Sequence, residues 1–248
     1  MKNGLIIGKG WIGSRLERVL QNEYNLQTTK RRSDADNCIA VDFDQPISPF
    51  ENIEAFDFVV ITVPFGRRNT LDQLSTRFQH IIQFIGPKYD GQVILISSTG
   101  IYPDVNRTVT EETFLTQEFN EPYHNMEHLI RVHLKQATIL RLGGIMGDDR
   151  YLSKYLNLER EGLDEVVNHI HYEDILAVIK MCIENNVRGE IINVVAPLHP
   201  TKREVLTFQL HDELIHSITK KGKTITSEKL IRILNYQFIH PNPLFFKG

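Results

Sequence analysis

The sequence is short of cysteine. Cys38 and Cys182 are the only two in 248 residues, and they lie far apart. That spacing excludes a disulfide framework and points to free thiols. Neither sits in an activating pattern, so both read as core residues. Charge of one sign is lacking as well: 28 Lys and Arg against 31 Asp and Glu leave a formal charge of −3. Nothing in that balance draws the whole molecule to nucleic acid or to an anionic membrane. No apolar run approaches the roughly 20 residues needed to span a bilayer, and there is no repeat or low-complexity tract. A strand-like stretch begins within a few residues of Met1 and leaves no room for a signal peptide, so a soluble, cytoplasmic protein is expected. The apolar fraction of 41% suffices for a buried core.

Strand-like and helix-like stretches alternate along the chain. "GLIIG" (4–8) is followed by the helical pattern "WIGSRLERVLQNE". "NLQTT" (25–29) and "CIAVDF" (38–43) read as the second and third strands. "FDFVVITVP" (56–64) and "GQVILISST" (91–99) are apolar on both alternations, as strands buried on both faces are. Helical spacing marks 70–85, about 122–134 and 172–185, with strands at "ATILRLG" (137–143) and "GEIINVVA" (189–196). This order argues for an α/β fold, a doubly wound parallel sheet with helices on both faces. After about residue 197 the pattern changes to two helices and an extended tail, read as a small C-terminal lobe. The expected division is a nucleotide-binding core over 1–148. The part over 149–248 returns strands to the sheet and forms the lobe.

The first strand-to-helix turn carries the sharpest signal, Gly8-x-Gly10-x-x-Gly13. Gly8 permits a sharp exit from the strand, Gly10 lets a pyrophosphate approach the backbone, and Gly13 lets the helix pack close. The helix N-terminus then offers free N–H groups to phosphates. The pattern alone is weak, but its place between the first strand and first helix is the confirming context for a dinucleotide-binding, Rossmann-like core. The other reading is a tight turn without a ligand. An NAD site usually carries an acid near the end of the second strand. Here Thr28 and Thr29 stand there instead, followed by Lys30, Arg31 and Arg32. Arginine forks suit a 2′-phosphate, so NADP is favoured over NAD. Alternatively these charges are a solvated loop, pairing with Asp34 and Asp36. The cofactor set read here is Gly8, Gly10, Trp11, Ile12, Gly13, Thr29, Arg31, Arg32, Asp42 and Phe43. Asp42 can reach an adenine amine or serve as a turn residue; Trp11 can cover the pyrophosphate or pack under the loop.

With that turn, "TVP" (62–64), "SSTGIYP" (97–103), "LRLGGIMG" (140–147) and "NHIHYEDI" (168–175) in order, the chain resembles the NAD(P)-dependent epimerase/dehydratase group. That group is the extended branch of the short-chain dehydrogenase/reductases; the chain looks like one of its atypical members. The resemblance implies that Thr62, Val63, Pro64 and Ser97 line the cofactor and that Gly143, Gly144 and Ile145 close over the nicotinamide side. It also implies that Ser98 polarises a substrate oxygen and that Tyr102 is a non-catalytic tyrosine.

The chain departs from the group at the proton donor, a tyrosine with a lysine four residues later. None of the eight tyrosines has such a lysine, and no lysine occurs between Lys88 and Lys135. Tyr123 is the well-placed tyrosine, with Glu127 at the lysine's spacing; a carboxylate beside a phenol disfavours the phenolate. Glu127 can instead match a glutamate further along the group's helix. Tyr123 and His124 remain the candidates for proton transfer, with Ser98 completing the catalytic set.

"HNMEH" (124–128) matches a zinc-protease pattern formally, without a third ligand, so no metal set is expected. "HIHYED" reads mainly as a helix cap and lobe anchor. Arg141 reads as an internal ion-pair partner, Arg150 as a surface charge or a grip on an anionic substrate. The expected activity is that of an NADP-binding oxidoreductase or epimerase/dehydratase-like enzyme acting on a small polar molecule, as a monomer or homodimer. The competing reading is a non-catalytic NADP-binding redox sensor or partner-binding regulator.

Overall fold

The computed structural model describes residues 1–66 and 69–246. In chain order the elements are β1 (Asn3–Ile7), α1 (Trp11–Leu20), β2 (Asn25–Lys30), β3 (Cys38–Ala40), β4 (Phe58–Ile61) and α2 (Leu71–Ile85). They continue with β5 (Gln92–Ser98), β6 (Thr108–Val109), α3 (Tyr123–His133), β7 (Thr138–Leu142), β8 (Gly144–Met146) and β9 (His169–His171). The last are α4 (Tyr172–Glu184), β10 (Ile191–Val194), α5 (Lys202–His211), β11 (Thr224–Ile225) and α6 (Glu228–Leu234).

Seven strands form one sheet in the order β10-β7-β5-β4-β1-β2-β3, and every neighbouring pair is parallel. This is the doubly wound α/β architecture read from the alternation. Successive strand residues point to opposite faces. Ile6, Val60, Ile94 and Leu140 join Leu16 and Leu20 of α1 and Ile175 and Ile179 of α4 on one face. Leu5, Val59, Val93 and Ile139 join Leu74, Phe78 and Ile81 of α2 and Met126 and Ile130 of α3 on the other. Such double burial explains why β4 and β5 are continuous apolar runs in the sequence.

Several strands are shorter than their sequence runs. The third ends at Ala40, so Asp42 and Phe43 lie in a turn, where the Asp42 carboxylate accepts the Asp44 backbone N–H at 3.1 Å. Two small parallel pairs, β6 with β11 and β8 with β9, escaped the sequence reading. Strand β10 sits at the edge of the main sheet, so the sheet draws on chain well beyond residue 148. Residues 247 and 248 of the C-terminal part lie outside the described residues. Among the described residues no helix is long and apolar enough to cross a membrane.

The strand order reverses at β1, which has β2 on one side and β4 on the other. In sheets of this kind ligands bind outside the carboxyl ends of the strands at that reversal. The glycine turn leaves β1 there.

Candidate cofactor cleft and catalytic end

Gly8 leaves β1 with φ +99°, a conformation that costs glycine nothing. Its N–H donates to the Thr29 hydroxyl at 3.0 Å, and its carbonyl accepts from the Thr62 hydroxyl at 2.6 Å. The ends of β2 and β4 thus clamp the turn. A Cβ on Gly13 would stand 2.2 Å from the Gly8 carbonyl oxygen, so only glycine lets α1 approach the turn this closely. Gly10 differs: a Cβ there would meet nothing within 4 Å. Gly10 also provides no side-chain cap to α1, so the first-turn amides remain available to a ligand.

A cleft of about 330 Å³ opens beside this turn. It brings together Gly8, Gly10, Thr29, Arg31, Asp42, Phe43, Val63 and Pro64, all named from the sequence. It also takes in Lys30, one of the cations read after the second strand, and recruits Lys9, Val41, Asp44 and Arg77, which sequence reasoning missed as ligand-facing residues. Arg77 comes from α2, and no local pattern could have pointed to it. A second hollow of about 440 Å³ shares Arg31, Asp44 and Arg77 with the first and extends along α2.

The cations at this end are not equivalent. Lys9 pairs with Glu17 and Asp34, each at 3.0 Å, and Lys30 pairs with Asp34 at 2.7 Å. The two lysines pull the Asp34 carboxyl down to about 2. Arg31 is mostly exposed and reaches Asp44 at 2.5 Å and Asp42 at 3.4 Å. Asp44 also binds Arg77 at 2.7 Å, and the hydrogen-bonded Arg77 guanidinium holds its carboxyl below the usual range. Arg32 is exposed beside Arg31. Thr29 is buried and spends its hydroxyl on the glycine turn.

Trp11 is partly buried and packs against the core on the α1 and α4 face. Its indole N–H donates to Asp149 at 2.9 Å, and the Arg15 and Arg150 guanidinium carbons sit 3.8 and 4.2 Å from the centre of its ring. It ties the start of α1 to the 147–150 turn, and Arg150 is occupied in that stack. Gly143 and Gly144 are packing glycines at the β8–β9 pair: added Cβ atoms would meet the Asn168 carbonyl at 2.4 Å and the His169 ring at 2.6 Å. Ile145 and Ile12 pack into the core on the α1 and α4 face.

At the end of β5 the two serines diverge, as alternation requires. Ser97 donates to Glu127 at 2.6 Å in the interior. Ser98 is half-buried, and its hydroxyl accepts the Gly100 N–H at 3.0 Å. The Tyr123 ring lies against this same turn: a Cβ on Gly100 would stand 3.2 Å from the Tyr123 hydroxyl. The structure therefore places Ser98 and Tyr123 around one turn. The His124 ring, on the same helix as Tyr123, stands 5.8 Å from Phe119 and 6.0 Å from His128.

Glu127 is committed elsewhere than to the Tyr123 phenol. It is 3% exposed and takes a forked contact from Arg141, with Nη2 to Oε2 at 2.7 Å and Nε to Oε1 at 3.1 Å. Arg141 also donates to the Tyr102 hydroxyl at 2.9 Å, which donates to Asn193 at 2.6 Å. Burial pushes the Tyr102 phenol up, and its fully buried ring offers nothing to a substrate. Arg141 is the internal ion-pair partner that the sequence suggested. With Glu127 bound in this way, the "HNMEH" pattern has no carboxylate free to activate a water.

Comparisons bear on the fold. No family model matches the chain. It is 25% identical to Protein YeeZ of Escherichia coli K12, over 98% of both chains. A Methylobacillus flagellatus structure provisionally named an NAD-dependent epimerase/dehydratase superposes with a TM-score of 0.77 at 19% identity, over 99% of this chain and 96% of that one. This chain shares that structure's fold, a Rossmann-like parallel α/β sheet. Bacillus cereus UDP-glucuronic acid 4-epimerase, solved with NAD, shares that fold at a TM-score of 0.74 and 15% identity, over 99% and 94%. So does the human epimerase family protein SDR39U1, solved with NADPH, at 0.68 and 14%, over 97% and 96%. The resemblance read from "SSTGIYP" and its companions is thus matched by a common backbone plan across almost the whole length.

Proposed function

We propose that the chain binds NADP and acts as an oxidoreductase or epimerase/dehydratase-like enzyme of the short-chain dehydrogenase/reductase superfamily on a small polar substrate. The observation that carries this reading is the cradle at Gly10. It has open space where a side chain would stand, uncapped helix amides beside it, and the Arg31 and Arg77 guanidinium groups lining the same cleft. Those residues fit a dinucleotide. The amides of 11–13 hold the diphosphate, Val63 and Pro64 flank the base-to-ribose path, and Arg31 with the adjacent Arg32 receives the 2′-phosphate. When bound, the cofactor supplies hydride exchange. Ser98 donates a hydrogen bond to a substrate oxygen from its Oγ, and Tyr123 or His124 moves the proton at that oxygen. No lysine assists the phenol.

The same departure favours a second reading, a regulator that binds NADP without turning it over. The residue one turn after Tyr123 is a buried glutamate held by Arg141, so the usual cationic aid to proton transfer is missing.

Trp11, the single tryptophan, stands at the start of α1 and reports binding by fluorescence. Titration is expected to show NADPH binding at least about tenfold more tightly than NADH, a difference of about 1.4 kcal/mol. Arg31→Ala should erase most of that gap. Equal affinities would remove the NADP assignment, and no quenching by either would remove the nucleotide reading. NADPH oxidation against carbonyl and sugar substrates, lost in Ser98→Ala, separates enzyme from regulator.

A further inference from the structure

Helix α4 begins beside the returning C-terminal segment. His171 caps the helix, Glu173 lies in its first turn, and His240 arrives from 67 residues further along. We infer that His171, Glu173 and His240 form a binding site for a divalent transition-metal ion, zinc foremost, which cross-links the C-terminal segment to the start of α4.

The donor set is two imidazoles and one carboxylate, a combination zinc accepts with water as its fourth ligand. One donor atom from each residue lies within 4.8 Å of the others. Glu173 Oε2 is 2.6 Å from His240 Nε2 and 3.7 Å from His171 Nδ1. Ligands around a tetrahedral zinc stand roughly 3.3 Å apart, given bonds of about 2.0–2.2 Å. The two Glu173 separations straddle that value and the His171–His240 one lies within 4.8 Å, so side-chain adjustment would seat an ion. The Glu173 N–H contact to His171 Nδ1 is long, at 3.4 Å, and gives up little if the lone pair turns to a metal.

The backbone is prepared for this independently of any ion. Asp174 is fully buried and accepts from the Tyr236 hydroxyl at 2.7 Å, the Ile239 N–H at 2.8 Å and the His240 N–H at 3.0 Å. That anchor fixes the main chain of His240 against α4. The two rings lie 3.7 Å apart between centroids, with the Phe246 ring 5.3 Å from His171 on an apolar side. The other side is open, since the His240 and Glu173 side chains keep 34% and 45% of their exposure. An ion would therefore have an anchored main chain behind its donors, a shielded back and access for water. His171 also stands against Gly147, where an added Cβ would meet its Nε2, so the cross-link would stiffen the turn after β8.

The test uses the full chain stripped with EDTA and titrated with Zn²⁺ against a chromogenic chelator, then with Co²⁺ as a spectroscopic probe. One ion per chain is expected, with visible Co²⁺ bands of low coordination number. His240→Gln and Glu173→Gln should each weaken Zn²⁺ at least tenfold and abolish the bands. His240→Gln keeps the Asp174 anchor, and circular dichroism checks its fold. His128→Ala, which breaks the other histidine pair, should change neither reading. Absent stoichiometric binding, binding indifferent to His240→Gln, or loss in His128→Ala would each overturn the assignment.

Discussion

At the scale of single residues, three glycines within six residues do three different jobs. Gly13 is glycine because the Gly8 carbonyl would touch a side chain, and Gly8 because of its positive φ. Gly10 has room, an ordinary negative φ and no contact to lose. Gly10→Val should therefore leave the fold nearly unchanged while weakening NADPH at least about a hundredfold, about 2.7 kcal/mol, because the branched side chain fills the diphosphate seat. Thermal unfolding and the Trp11 titration, run side by side, check both halves. The glycine spacing was legible because backbone geometry restricts residue type. Arg77 and His240 were not legible, since each joins its cluster only through the tertiary fold. Asp42 was legible in kind: of the two roles open to it, the turn is made, beside an ion pair to Arg31.

At the scale of elements, helix α3 is fastened to the sheet by a charge pair as well as by packing. Glu127 is held by Ser97 from β5 and Arg141 from β7. Glu127→Ala would strand a buried guanidinium and should cost about 3–5 kcal/mol in urea unfolding. A Glu127→Ala/Arg141→Met double variant should recover a large part of that loss, since no charge is then left unpaired. Because α3 also carries Tyr123 and His124, the single variant should loosen both. Long elements were legible from period: β4 and β5 are apolar on both faces, and α2 opens with Thr70 and Gln73 in a reciprocal cap. The pairs β6–β11 and β8–β9 were not. Strands of two or three residues carry no period, and their partners lie far along the chain.

At the scale of the whole molecule, the small pairs and the returning tail join the C-terminal part to the sheet, and His169 sits at that junction on β9. Burial first, and Lys202 second, hold its imidazole down at about 4, against 6.5 in an unfolded chain. The folded state thus favours the neutral ring. Its contribution is complete above about pH 6.5 and is lost as pH falls toward 4, by up to about 3 kcal/mol. Urea midpoints measured in EDTA at pH 7 and pH 5 should separate more in the wild type than in His169→Gln. The tail bears on assembly as well. Asp174 belongs to the first turn of α4, yet the groups that satisfy it come from 236–240. On a ribosome, while the exit tunnel still hides residues 236–240, that carboxylate lacks the groups that satisfy it. The start of α4 therefore cannot settle on the sheet until residues 236–240 have emerged to meet it.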